Sequence, residues 1–336
     1  MNRRRRQTVA TIGKILISIV LIIWLVHEIG IENVILQLKS AKWGWVLVGA
    51  GIFACSNFLG AFQWFLLLRS QSARCSFLHA LSYYHVGLFF NNFLIGNVGG
   101  DAFRIYDVAR HAGDTTVAVS SVLFDRFIGF FTLTSIAMVV SVTRVRLLSS
   151  MGIVYFIGIV LVIWMGTLFL LFNEPAGRAL GRLFKPLLPN FISEKIHEIY
   201  MATNQIRHHR LVLLQLLGTS IFVQVLRIMT HYYAALSLGV SANMLYFFIF
   251  IPIVALFASL PISFGGIGVR EQSAVALFST IGLAASKVVT FEFLAYIIGI
   301  AATIPGGVIF ALRREVRIAP ENIQYAPLQN GGPRNE

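Results

Sequence analysis

Long apolar blocks alternate with short polar breaks along this chain. The blocks lie near residues 9–28, 43–68, 118–140, 151–172, 211–237, 243–260, 267–283 and 288–312. Runs of this kind match the length a helix needs to cross hydrocarbon, roughly 20 residues. A backbone in lipid must satisfy its own hydrogen bonds, so helices follow. The pattern predicts an all-α polytopic membrane helix bundle of about eight spans. Short segments of strictly alternating polarity, the mark of a membrane barrel, do not dominate.

One further run, FLHALSYYHVGLFFNNFLIG at 77–96, is apolar enough to enter a bilayer but is followed by NNFLIGNVGGDAFR, residues 91–104. Arg74 precedes it, and Arg104 and Arg110 follow it, all favouring one side. A segment that enters and leaves on one side is re-entrant, and its tip must be non-helical and shielded by protein or water. Asn92, Asn97, Gly99 and Gly100 suit such a tip, since glycine permits tight backbone geometry and Asn can close backbone groups. A helix starting near Asp101 would point its free amides into the tip, with Arg104 one turn on. The alternative is structural: glycines pack helices, Asn97 or Asp101 caps one, and Arg104 anchors an interface.

The motif recurs. LPISFGGIGVR at 260–270 aligns without a gap to LIGNVGGDAFR at 94–104, matching Leu, the paired glycines and Arg, and placing Gly265, Gly266 and Arg270 opposite Gly99, Gly100 and Arg104. Broken segments at corresponding places in two halves point to a transporter site at a repeat interface. The chain thus divides into a basic tail (1–8), a membrane domain (9–312) and a second tail (313–336). Within the domain, halves at 9–172 and 211–312 flank a connector at 173–210. With four spans in each, the charge assignment orients the halves alike.

Composition and charge refine this picture. The 336 residues are 57% hydrophobic and 12% charged, with net charge +13. Little aqueous surface remains for nucleic acid, and the basic residues read as topology signals. MNRRRRQ and FALRREVR place both termini in the cytoplasm, so the span number is even; Arg144 and Arg146 fall on the wrong side. The first run lacks a cleavage site and reads as a retained anchor. Segments 31–40 and 192–207 carry apolar residues at helical spacing beside charges, as interfacial helices do. Cys55 and Cys75 form neither a metal motif nor a disulfide framework.

Charges inside the blocks are the remaining candidates. Asp125 and Arg126 sit in SVLFDRFIGFF; being adjacent on one helix they do not face each other, and either build a charged cavity with Arg104 and Arg270 or neutralise partners on other helices. Glu271 either complements Arg104 or Arg126 or caps the helix beginning there. Arg227 and His231 share a helix face, and Glu292 either relays protons or pairs with Arg227. His85 reads as a packing residue. HExxH, GxSxG and GxxxxGK[ST] do not occur, and no cofactor or metal site is expected.

Together, LFFNNFLIGNVGGDAFRIYDVARHAG, SVLFDRFIGFF and LPISFGGIGVREQSAVALF resemble the lysylphosphatidylglycerol synthase transmembrane-region family, over roughly residues 12–312. The resemblance implies a helix bundle with re-entrant elements and a flippase-like role in moving lipid between leaflets. It places Asn92, Gly99, Gly100, Asp101, Arg104, Asp125, Arg126, Gly265, Gly266, Arg270 and Glu271 at recurrent positions. Ile95 stands where many relatives carry Pro, and Asp125 where Glu is common. The bifunctional relatives add a cytoplasmic transferase domain, whereas only residues 313–336 follow the last span, so aminoacylation by this chain alone is not expected. The expected function is translocation of a lipid or lipid-linked head group in a bacterial or archaeal cytoplasmic membrane. A membrane-embedded transferase and a non-transporting scaffold are the alternatives. Expected partners are a phospholipid or other anionic amphiphile, a second copy of the chain, and a separate lipid-modifying enzyme.

Overall fold

In the computed structural model, residues 41–92, 99–142, 153–173, 175–177, 210–260 and 266–313, with Lys39 and Ala179, are described. The expected first span, the segment at 31–40 apart from Lys39, and nearly all of the connector lie outside them. Among the described residues every long element is α-helical: α1 (Trp43–Ser70), α2 (Phe77–Asn91), α3 (Gly99–Ala112), α4 (Thr115–Val142), α5 (Ile153–Phe172), α6 (Arg210–Ser237), α7 (Met244–Ala258), α8 (Val269–Phe278) and α9 (Ala285–Leu312).

Helices α1, α4, α6 and α9 each have 28 residues and are apolar enough to cross a membrane. At 1.5 Å per residue each extends about 42 Å, more than the hydrocarbon thickness of about 30 Å. Their outward faces carry Leu47, Phe58, Leu123, Val139, Leu214, Phe222 and Val308, all exposed. Ser56, Asn57, Gln63, Ser121, Thr132, Ser220, Gln224 and Glu292 are buried between helices. Apolar outside and polar inside is the arrangement lipid selects. The protein is a membrane-embedded helical bundle.

Two antiparallel hairpins of shorter helices sit among these spans. In the first, α2 and α3 have 15 and 14 residues, about 22 and 21 Å long. The open end brings Tyr83 to His111, ring centroids 6.0 Å apart, and the closed end brings Asn91 to Gly100. Ser76 caps α2 by accepting the His79 amide. In the second hairpin, Asn243 caps α7 by accepting the Leu245 amide. Phe247 and Phe250 pack on Phe278 at the open end, and Ala258 meets Gly266 at the closed end.

The spans expected near 243–260 and 267–283 are corrected by this geometry: α7 has 15 residues, about 22 Å, and forms a hairpin with the helix of the 267–283 run. That helix, α8, has 10 residues, about 15 Å, and a 3-10 turn at Ser279–Ile281 then ends at left-handed Gly282. Hydropathy registers a long apolar run, but glycines with positive φ at 266, 268 and 282 break it on both sides.

Helix α1 runs antiparallel to α6: the Lys42 amide donates to the Ser237 carbonyl at 2.8 Å, and Trp45 stacks on Tyr233. Each hairpin packs on a long helix distant in sequence. Gly306 and Gly307 of α9 receive the His85 carbonyl and the Phe89 ring of α2, while Leu133 of α4 joins the cluster around α7 and α8. The first hairpin opens at the face carrying Arg69, Arg74, Arg110, Arg210 and Arg313; the second opens at the opposite face, beside Lys42 and Lys287.

Candidate functional site

Backbone contact fixes the tip of the first hairpin. A Cβ on Gly100 would strike the Gly87 carbonyl oxygen, so α2 and α3 approach as only glycine permits. The Gly100 amide donates to Asn91 Oδ1 at 2.8 Å, which removes one of the helix-start donors expected to face a ligand. Gly99, half-buried, is the first residue of α3. Asn92 Nδ2 donates to Thr303 Oγ1 at 2.7 Å, tying the tip to α9. In the second hairpin, Gly266 has φ +78°, and a Cβ there would sit 3.0 Å from the Ala258 carbonyl. Glu271 Oε2 accepts the Gly268 amide at 2.6 Å, so of its two expected uses the structure shows the cap. Asn97 and Gly265 lie outside the described residues.

Four charges form an alternating chain beside the first tip. Arg126 Nε meets Asp101 Oδ2 at 2.7 Å, Arg104 meets Asp101 Oδ1 at 3.3 Å, and Arg104 meets Asp125 Oδ2 at 2.8 Å. Gln63 Nε2 donates to the free side of Asp125, to Oδ1 at 2.9 Å. The Arg104 guanidinium also lies 4.2 Å from the Trp64 ring centroid and 4.7 Å from that of Tyr84. Asp125 and Arg126 therefore take partners on α3 rather than each other. Side-chain exposures of 5% for Arg104 and 6% for Asp101 mean that neither ion is hydrated to any extent. The ions compensate one another, and the assembly holds α1, α2, α3 and α4 together.

A cavity of about 310 Å³ opens between the two tips. Asn91, Asn92, Arg104, Asp125 and Arg126 line it from the first half, and Arg227, His231, Ser259, Arg270 and Tyr296 from the second. Arg227 donates to the Tyr84 hydroxyl at 3.3 Å, and Arg270 lies 4.5 Å from the Tyr296 ring centroid. Glu292, fully buried, pairs with His231 Nδ1 at 3.0 Å rather than with Arg227, which the sequence offers as a partner alongside a proton-relay role. His85 Nδ1 contacts the Leu81 carbonyl within its own helix, as a packing residue does. Among the described residues no group of three or more His, Cys, Asp or Glu is placed to hold a metal ion.

Sequence reasoning missed Gln63, Trp64, Tyr84, Tyr296 and Thr303. Gln63 was detectable as an amide inside an apolar run, but the aromatic residues look like ordinary span residues until their arginines are located. The paired glycines at 306–307, after Pro305, were a second visible signal.

A curated protein of Pyrococcus horikoshii, UPF0104 membrane protein PH1989, is 24% identical over 330 residues, covering 91% of this chain and 98% of the relative. No solved structure is similar at a significant level. The family model described as "Lysylphosphatidylglycerol synthase TM region" matches residues 11–308, a range that holds both hairpins and the whole charged cavity. The chain therefore belongs to the lysylphosphatidylglycerol synthase TM region family.

Proposed function

We propose that this protein moves the head group of an anionic amphiphile across the cytoplasmic membrane through the cavity between its two hairpins. The observation that carries the reading is their opposition: one hairpin opens at the arginine-rich face, the other at the opposite face, and both closed ends reach one arginine-lined cavity. A substrate held there lies between the two sides while its tails stay in lipid. Basic side chains lower the cost of bringing an oxyanion into a low-dielectric interior.

An inverted internal repeat accompanies this reading. Long, short, short and long helices recur in the same order, with α1 and α6 starting at 43 and 210, 167 residues apart, and α2 and α7 at 77 and 244, also 167 apart. Helices α4 and α9 start at 115 and 285, 170 apart. Antiparallel α1 and α6 give the halves opposite orientation, in place of the like orientation expected from the charge count. The positive-inside rule puts the arginine-rich face, and with it Arg313 next to the C-terminal tail, in the cytoplasm. Both hairpins are then re-entrant, one from each side, and the runs expected to span at 243–260 and 267–283 form the two arms of one hairpin.

The test is reconstitution into phosphatidylcholine liposomes containing a trace of fluorescent phosphatidylglycerol, with dithionite quenching reporting leaflet exposure. Lipid exchange faster than in empty liposomes is expected. Folded protein that leaves exchange of phosphatidylglycerol, phosphatidic acid and phosphatidylethanolamine probes at the empty-liposome rate would sink the reading.

A further inference from the structure

We infer that Arg227, not Arg104, is the principal ligand for an oxyanion in the cavity, and that Arg104 is a fixed strut. Four arginines line the cavity among the described residues: Arg104, Arg126, Arg227 and Arg270. The first two are held by Asp101 and Asp125 in a chain of ion pairs. To take a ligand, Arg104 would have to leave two carboxylates and the slot between Trp64 and Tyr84.

Arg227 is placed differently. It sits ten residues from the end of α6 at Ser237, about 15 Å from that end and well inside the bundle. Its hydrogen bond goes to a phenol, Tyr84, at 3.3 Å, and no carboxylate among the described residues pairs with it; its buried Nε has no acceptor, as is also true of Arg104. A guanidinium carries five N–H donors, and this one lines the cavity with one of them given to Tyr84. Glu292, a carboxylate the sequence offers it as one partner, is engaged by His231. Tyr84 cannot readily swing away to alter this, because its hydroxyl lies against Gly60, where a side chain would collide with it. A half-buried cation lining a cavity, with a phenol for a partner, is an incomplete site, and an oxyanion completes it.

His231, one turn along the same helix, and Arg270, on the second hairpin, line the same cavity. The volume of about 310 Å³ lies at the low end of ligand pockets, roughly 300–1,000 Å³. It admits a phosphate-sized head group. The chemistry recognised is therefore an oxyanion, supplied by a lipid head group or by free phosphate. This inference names the binding group of the proposed translocation site, and rests on that reading for its purpose but not for its chemistry.

The experiment uses the full chain in phosphatidylcholine nanodiscs, with the thermal midpoint followed by tryptophan fluorescence while inorganic phosphate, dihexanoyl phosphatidic acid or dihexanoylglycerol is titrated. Wild type is expected to gain stability with a phosphate-bearing probe and none with dihexanoylglycerol. Arg227→Gln should need at least tenfold more probe, Arg227→Lys an intermediate amount, and the ligand-free midpoint of Arg227→Gln should equal or exceed that of wild type. Arg104→Gln should lower the ligand-free midpoint. A response to phosphate equal to that of the short-chain lipid supports a free anion as ligand, and a stronger response to the lipid supports a head group. A wild-type dose response in Arg227→Gln, a ligand-free drop as large as that of Arg104→Gln, an equal response to dihexanoylglycerol, or no wild-type response to either phosphate probe overturns the inference. Loss of binding in Arg227→Gln beside wild-type liposomes that move no lipid would uphold the site and remove translocation.

Discussion

Arg104→Gln isolates what the charge chain contributes. The substitution removes a cation 2.8 Å from Asp125 and 3.3 Å from Asp101, leaving three formal charges where four balanced. Asp101 keeps Arg126, but Asp125 keeps only the neutral Gln63 amide. Breaking a buried pair from one side costs about 3–5 kcal/mol, because the surviving ion stays desolvated and uncompensated. Loss of the two ring contacts adds about 1 kcal/mol. At roughly 2–4 °C per kcal/mol for a domain of comparable size, a sum of about 4–6 kcal/mol lowers the thermal midpoint by at least ~8 °C. Removing the orphaned charge as well should restore much of the loss. Arg104→Gln with Asp125→Asn is expected to be at least ~2 kcal/mol more stable than Arg104→Gln alone, a coupling within the range of contacting charges. The assay is thermal unfolding of all four members of the cycle in one lipid composition. A midpoint of Arg104→Gln within 2 °C of wild type, or a double variant no better than the single, would refute the strut.

Gly100→Ala should destabilise severely, since the added methyl meets the Gly87 carbonyl and lies 2.8 Å from the Asn91 amide; Gly218→Ala, with open space around it, should be neutral or slightly stabilising in the same unfolding assay. Cys75, in the loop between α1 and α2, has its thiol pushed up to about 11 by burial, so the neutral form persists through pH 9. In a Cys55→Ser background, alkylation by an impermeant maleimide should be slow at pH 7.4 and should rise about tenfold per pH unit, and only when reagent reaches the arginine-rich face. A fast, pH-independent reaction would contradict the burial, and labelling from the opposite face would contradict the topology.

The legible and illegible parts of this site differ in kind. Helix-breaking glycines and arginines are local chemistry, so LIGNVGGDAFR and LPISFGGIGVR announce two interruptions before any contact is known. Which arginine is compensated is not local. Arg227 looks like a lone cation in an apolar run and Arg104 like one charge in a polar break, and the distinction arises because Asp101 and Asp125 converge on Arg104 while a phenol meets Arg227. Pairing with Arg227 is one of two uses the sequence leaves open for Glu292, but the register of α6 against α9 delivers His231 instead. The apolar count over 267–283 overstated a span because hydropathy does not register backbone dihedrals.

The contact between Asn92 and Thr303 joins residues 211 positions apart, and it sets a schedule for biogenesis. At about 5–20 residues per second of synthesis, the tip of the first hairpin exists for roughly 10–40 s before the helix that holds it has been made. Through that interval α2 lacks the surface that Gly306 and Gly307 later provide. The ion pairs joining Asp101, Arg104, Asp125 and Arg126 need nothing beyond residue 126, so the nascent first half can enter lipid with those charges already neutralised. A ribosome stalled before α9 would thus leave a chain that is electrostatically at rest but mechanically unfinished, a natural substrate for membrane quality control.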